Sequence, residues 1–138
     1  MKTSTMLDTN ILIDIMGDGQ HFDSSVDAVV EGLRSGEIVL SAIVWAELAF
    51  APVTEAQLSS RLAWLRPKRE ALPFEAAFPA GRAHALYRER GGRRERTLPD
   101  FLIGAHALVA GHRLMTRDPS RYRAYFPTLD IISPETHP

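Results

Sequence analysis

Very short apolar runs alternate with stretches of helical periodicity along this chain, and that rhythm limits the folds open to it. Thr3 to Leu7 reads as a first strand, and Ile11, Leu12 and Ile15 then recur at helical spacing until Gly17-Asp18-Gly19. Val26, Val29, Val30 and Leu33 form the apolar stripe of a second helix closed by Gly36, and Ile38-Val39-Leu40 is a second buried strand. Ser41 can cap a third helix over 42–51, which Pro52 stops. A fourth helix is expected over 55–65 and a brief strand over Glu70-Ala71-Leu72. A long helix follows over 75–90, carrying Phe78, Ala85 and Leu86 and broken by Gly91-Gly92. Leu98, Phe101, Leu102, Ala105, Leu108 and Val109 form the stripe of another helix, with Gly104, Ala107 and Gly111 on a second face that permits close packing. Arg113-Leu114-Met115 and Leu129-Asp130-Ile131-Ile132 are the last strands. Short strands separated by helices specify an α/β fold with a mostly parallel sheet. Ligand sites in such sheets lie at the carboxyl ends of the strands.

Four acids interrupt this apolar framework. Asp8 and Asp118 directly follow proposed strands, Glu47 sits in the otherwise apolar helix over 42–51, and Asp100 opens the helix after Pro99. An all-apolar helix is expected to be buried, and a buried charge is costly without a partner. Each acid also has an ordinary structural role. Asp8 can cap the first helix, with Asn10 as a second possible cap, and Glu47 can lie at a rim or pair with an arginine. Thr97-x-x-Asp100 has the form of a capping box, and Asp118-Pro119 that of a helix start. Taken together, four acids from distant parts of one chain suggest a shared pocket suited to a hard divalent cation. Thr116, two residues before Asp118, can point the same way and bind a water or a phosphate.

Composition narrows the alternatives. The chain has 138 residues, 45% of them apolar, enough for one well-formed core. It has no cysteine, which excludes disulfides, zinc–thiolate sites and thiol nucleophiles. The opening Met1-Lys2-Thr3-Ser4-Thr5 leads into only a very short apolar run, and nothing approaches the roughly 20 apolar residues of a membrane span. A cytoplasmic protein with no membrane partner is therefore expected. The net charge is −1, yet six arginines and only two acids lie between Arg82 and Arg96. This segment is either a solvated helix face with a charged loop or a phosphate-backbone contact. Tyr87, Tyr122, Tyr125 and Phe126 are candidates for stacking on an unpaired base or for core packing. The five histidines show no ligand spacing such as i, i+4 and are expected to be structural or surface residues.

The segments Leu7-Asp8-Thr9-Asn10-Ile11-Leu12, Ser41-Ala42-Ile43-Val44-Trp45-Ala46-Glu47-Leu48, Leu98-Pro99-Asp100-Phe101-Leu102-Ile103-Gly104-Ala105-His106-Ala107 and Leu114-Met115-Thr116-Arg117-Asp118 come in an order that resembles the PIN-domain ribonucleases. The nearest likeness is to VapC-type toxins of type II toxin–antitoxin systems, and it covers essentially the whole chain. The resemblance implies a single three-layer α/β/α PIN-like domain over residues 1–138, with a short, mostly parallel central sheet of four or five strands. It implies that Asp8, Glu47, Asp100 and Asp118 form the catalytic acidic site, with Asp8, Asp100 and Asp118 as ligands of Mg²⁺ or Mn²⁺ and Thr9, Asn10 and Thr116 in support. It further implies an RNA substrate, a small antitoxin partner, and a homodimer that can enter larger toxin–antitoxin assemblies; the charge pattern itself makes Arg93, Arg94 and Arg96 the candidate contacts to the RNA backbone. Two segments depart from the family pattern: the arginine-rich 91–96, and Arg121-Tyr122-Arg123-Ala124-Tyr125-Phe126 after the fourth acid.

Carboxylate-held Mg²⁺ suits phosphodiester cleavage because it activates water, neutralises the phosphate and steadies the leaving oxygen. Two other activities compete with this reading. A PIN-like module that binds RNA or protein without cleaving would share the fold. A haloacid-dehalogenase-like phosphatase also places an acid after its first strand, but it needs a second acid two residues on, where Asn10 stands, and a late lysine, whereas the lysines are Lys2 and Lys68.

Overall fold

The computed structural model describes residues 3–50, 52–92 and 96–134. Five parallel strands form one sheet in the order β3-β2-β1-β4-β5. They are β1 (Thr5–Leu7), β2 (Ile38–Ser41), β3 (Lys68–Glu70), β4 (Arg113–Met115) and β5 (Ile131–Ile132). Around them run α1 (Thr9–Met16), α2 (Phe22–Ser35), α3 (Ala42–Glu47), α4 (Glu55–Leu62), α5 (Phe74–Glu89), α6 (Leu98–Ala110) and α7 (Pro119–Arg123). Single 3₁₀ turns over Leu48–Phe50 and Ala63–Leu65 extend α3 and α4.

The expected α/β architecture is thus observed, with five strands and every pairing parallel. β1 is central and wholly buried, which is why its residues read as a continuous apolar run and not as an alternation. Its register places Thr5 between Ile38 and Arg113 and Met6 between Val39 and Leu114. Helices flank both faces. Gly32 of α2 lies against Thr5, Ile38 and Met115, and on the other face Ser41 meets His106 of α6. The order of strands reverses between β1 and β4, so the carboxyl ends of these two strands border the crevice where a ligand site is expected.

Several elements differ from the sequence expectation. β1 begins at Thr5 and β5 at Ile131, and β3 covers Lys68–Glu70 in place of 70–72. β3 is an edge strand whose side chains are largely exposed, so pairing with β2 defines it and apolar content does not. α3 stops at Glu47 and is not buried all round. Val44 and Leu48 face the core, while Ala42, Ala46 and Phe50 are exposed. Ala51, the expected end of that helix, lies outside the described residues.

The long helices bury the expected stripes only in part. α2 centres its contact on Ser25, Ala28, Val29 and Gly32, with Val26 and Leu33 at its margins. α5 buries the stripe Ala76, Ala80, Ala83 and Tyr87, leaving Phe78 72% exposed and Leu86 at the surface. α6 buries Phe101 and the run Ile103–Ala107, whereas Leu98, Leu108 and Val109 are exposed. The reason is that α5 and α6 pack along each other, and small residues bring backbones close where large ones would hold them apart. Gly91 ends α5 in the left-handed region (φ 79°), and Gly92 N donates to Tyr87 O at 2.9 Å, the expected break.

Candidate active site

Asp8 is 3% exposed and stands where β1 becomes α1. Its backbone N–H continues the ladder to Met115 O at 2.9 Å, which fixes the residue between β1 and β4. Its side chain caps α1, with Oδ1 accepting from Thr9 N at 2.8 Å. Oδ2 accepts from two hydroxyls, Thr116 Oγ1 at 2.8 Å and Tyr122 Oη at 2.9 Å. Burial pushes the Asp8 carboxyl above its usual range, although the three donors act to lower it. Burial likewise drives Tyr122 well above the ordinary tyrosine range, with the neighbouring charges of Asp8 and Asp100 adding to the effect, so its hydroxyl remains a donor.

The other predicted acids join this centre. Thr116 Oγ1 accepts from Asp118 N at 3.0 Å, tying the start of α7 to Asp8. Asp118 sits at the N-cap of α7 ahead of Pro119, as the sequence suggests, but its carboxylate makes no cap bond and instead accepts from Ser120 Oγ at 3.3 Å. Asp100 closes the capping box of α6, accepting from Thr97 N at 3.1 Å, and its second oxygen accepts from Arg121 Nη1 at 3.3 Å. Arg121 Nε lies 3.2 Å from Asp118 Oδ2, an ion pair by distance that lacks hydrogen-bond alignment. Burial weakens the Arg121 charge, but Asp100 and Asp118 outweigh it and the guanidinium is held more firmly protonated. Glu47, at the end of α3, accepts from Thr9 Oγ1 at 2.6 Å and so meets the centre through the residue after Asp8.

All four acids and the supporting Thr9, Asn10 and Thr116 therefore belong to one linked group at the carboxyl ends of β1 and β4. Asn10 is not a spare cap. Its amide reaches Thr116 Oγ1 at 3.4 Å and its oxygen accepts from Arg117 N at 3.3 Å, so it braces β4's exit loop. Arg117 itself is drawn aside by Asp14, at 2.7 Å.

The aromatic and basic segments are placed differently from the base-stacking expectation. Tyr122 and Phe126 are buried, Tyr87 packs against Phe101 at 5.6 Å, and Tyr125 closes the same cluster edge-on to both. Gly104 makes this possible, since a Cβ there would stand 2.5 Å from the Phe126 ring and 3.1 Å from Tyr122. Arg93 and Arg94 lie outside the described residues. Arg96 is half-buried, donating to Arg121 O at 3.4 Å and standing over the Tyr87 ring at 5.8 Å. Tyr122 and Arg121 are the participants that sequence reasoning did not assign to the site. Their one signal was a position just beyond the fourth acid, in a segment that departs from the family pattern.

A donor set of carboxylate and hydroxyl oxygens without sulfur suits a hard divalent cation by ligand type, and Arg121, seated between Asp100 and Asp118, would have to give way to it. Asp8 has little free accepting capacity after three hydrogen bonds, so Asp100 and Asp118 would supply the more open oxygens.

The PIN domain family model matches residues 5–127, and the chain belongs to the PIN-domain family. The fold is shared with solved structures of low identity. VapBC2 from Rickettsia felis, bound to a promoter DNA fragment, matches with TM-score 0.73 at 23% identity over 95% of this chain and 98% of that one. VapBC-1 from nontypeable Haemophilus influenzae gives TM-score 0.73 at 22% identity over 96% and 99%, and FitAcB from Neisseria gonorrhoeae gives 0.69 at 19% over 95% and 98%. No curated protein matches the chain. Among the described residues no helix is long and apolar enough to cross a membrane.

Proposed function

We propose that this protein is a metal-dependent endoribonuclease acting as the toxin of a toxin–antitoxin pair in the cytoplasm. The observation that carries the reading is the buried Asp8 carboxylate, fixed by three donors and joined through Thr9 to Glu47 and through Thr116 to Asp118, which Arg121 pairs with Asp100, at the sheet's switch point. Asp8, Asp100 and Asp118 would hold Mg²⁺ or Mn²⁺, which when bound supplies charge neutralisation at the phosphate and a more acidic water.

The chain's own residues do the positioning. Tyr122 and Thr116 fix Oδ2 of Asp8 in one orientation, and Thr9 turns Glu47 toward the same centre. Glu47 is the carboxylate left to take a proton from the attacking water. Arg82, Arg88 and Arg90 on and beside α5 are exposed and suit the phosphate backbone of RNA, together with Arg93, Arg94 and Arg96, which follow in the sequence. The antitoxin reading draws on the solved VapBC complexes and on an apolar groove of about 170 Å³ between α1 and α3–α4. Ile13 (44% exposed) and Phe50 (75% exposed) border that groove. Phe74 and Phe78, one turn apart and exposed on α5, supply apolar surface for a homodimer contact.

The test is expression of the chain alone, with sequencing of RNA 5′ ends after brief induction. Growth arrest with discrete new 5′ ends, both abolished by Asp8→Asn, is the expected result. Undiminished cleavage in Asp8→Asn would remove the catalytic assignment. RNA binding in Mg²⁺ without cleavage would make the protein a binding module of the same fold.

A further inference from the structure

On the α6 face of the sheet, three side chains outside the acidic group converge from separate elements. His106 is fully buried on α6, His112 is nearly buried in the turn before β4, and Glu70 ends β3. Both imidazole Nε2 atoms reach the same oxygen, Glu70 Oε1, at 2.9 and 2.8 Å, and the three atoms lie within 4.8 Å of one another. The far ring nitrogens each meet a hydroxyl. His106 Nδ1 is 3.0 Å from Ser41 Oγ and His112 Nδ1 is 2.6 Å from Ser4 Oγ. None of these residues hydrogen-bonds to the acids around Asp8.

The two serines decide what the cluster can do. With both imidazoles protonated on Nε2, each donates to Glu70 and accepts from its serine. A hydroxyl can donate or accept, so both rings can instead carry the proton on Nδ1 and donate to serine. That exchange turns the proton of the buried Ser41 hydroxyl, which already accepts from Ile43 N, away from His106, and it directs two imidazole lone pairs toward one point beside a carboxylate. Imidazole ligands backed by an N–H to an oxygen acceptor are the usual construction of a metal centre.

We propose that Glu70, His106 and His112 form a second metal site, selective for a zinc-class transition ion. Two imidazoles and a carboxylate with one open position match Zn²⁺, whereas Mg²⁺ and Ca²⁺ prefer all-oxygen sets. Zinc at about 2.0–2.1 Å from each ligand in tetrahedral geometry separates the ligand atoms by about 3.3 Å. Each imidazole must therefore recede from Glu70 by about half an ångström. Glu70 can supply that movement, because its side chain is 18% exposed and lies on an edge strand paired to β2 alone. The same exposure admits a water as fourth ligand. Lys68 Nζ, 3.5 Å from the other Glu70 oxygen, is half exposed and free to swing away. The ion would clamp β3 to α6 and to the entry of β4, so its effect is on stability.

The experiment uses the full, untagged chain freed of metal with a chelator, titrated with Zn²⁺ by calorimetry and followed by thermal unfolding. Asp8→Asn separates this site from the acidic one, and His112→Gln and Glu70→Gln test it at its two least buried members. One equivalent of Zn²⁺ that raises the melting temperature, persists in Asp8→Asn, and binds at least tenfold more weakly in both His112→Gln and Glu70→Gln is the expected result. Co²⁺ should give the intense visible bands of four-coordination in wild type and Asp8→Asn but not in His112→Gln. Zinc affinity unchanged in His112→Gln, lost in Asp8→Asn, or absent from the wild type would each reduce the cluster to a hydrogen-bonded triad.

Discussion

Asp8 and Glu70 each accept from two side-chain donors inside the same small sheet, yet their protons respond in opposite directions. Burial acts to raise both. At Asp8 it prevails, because the donors are hydroxyls and a backbone N–H that carry no net charge. At Glu70, partly open to solvent, hydrogen bonds from His112 and His106 outweigh it and the carboxyl is held below its usual range. Two hydrogen bonds thus do not determine a carboxylate's state; the charge its donors can carry and the water left to it do. Asp8 is held under electrostatic tension that a cation would relieve, whereas Glu70 is at ease with its imidazoles.

The sharpest test of this contrast is Asp8→Asn. RNA cleavage is expected to fall by more than ~100-fold, beyond what loss of an outer-shell metal partner usually does. Stability should move the other way. A raised folded pKa means the native state binds the extra proton, so Asp8 favours folding fully below the unfolded value of 3.8 and loses that contribution as pH rises through its folded pKa. At neutral pH the asparagine variant should therefore melt higher than wild type without divalent metal, and the gap should close as pH falls toward 4. A variant that melts lower at neutral pH would show that Asp8 is not strained.

Next in size is Gly104→Ala. Its new Cβ would stand 2.5 Å from Phe126 and 3.1 Å from Tyr122. Overpacking of this kind costs about 1–3 kcal/mol, measurable by urea unfolding. The displacement should also loosen Tyr122 from Asp8, so cleavage falls as well, while the Glu70 cluster and its zinc affinity stay unchanged.

Tyr122→Phe keeps the ring and removes only the hydroxyl on Asp8 Oδ2. A hydrogen bond to a charged acceptor contributes about 1.5–3 kcal/mol, but here the loss is softened because Asp8 can take up a proton. Destabilisation at neutral pH should accordingly exceed that at pH 4. Equal loss at both would mean that the hydroxyl serves packing and not the Asp8 charge.

What the sequence disclosed of these two regions follows from how far apart their members lie. Asp8, Glu47, Asp100 and Asp118 were readable because each breaks an apolar element or follows a strand, and Thr116 because it precedes Asp118 by one strand repeat. Tyr122 reaches Asp8 across 114 positions from a segment that reads as a basic, aromatic surface. Only the close approach of α7 to Gly104 turns it inward. The histidine cluster was not legible for a related reason. His106 and His112 are six residues apart across a helix end, so no helical repeat joins them, and Glu70 arrives through sheet pairing with Ser41. Helix faces were misjudged where large side chains were taken to mark burial. α5 instead buries alanines at 76, 80 and 83, because α6 packs too near for Phe78.

The smallest effect separates the two networks most finely. Arg121 is the one cation hydrogen-bonded into the acidic group among the described residues, bridging Asp100 and Asp118. Arg121→Gln removes that charge and leaves the four acids with neutral donors. Because Arg121 is partly exposed, the direct loss in stability should be modest, within about 1 kcal/mol for a solvent-screened pair. The acids' need for a divalent ion should grow, so Mg²⁺ or Mn²⁺ should raise the melting temperature more in Arg121→Gln than in wild type. Zinc should raise both equally, since Arg121 makes no contact with Glu70, His106 or His112. If Mg²⁺ stabilised the variant no more than the wild type, Arg121 would be a surface brace, and the acidic group would hold its cation, if any, away from Asp100 and Asp118.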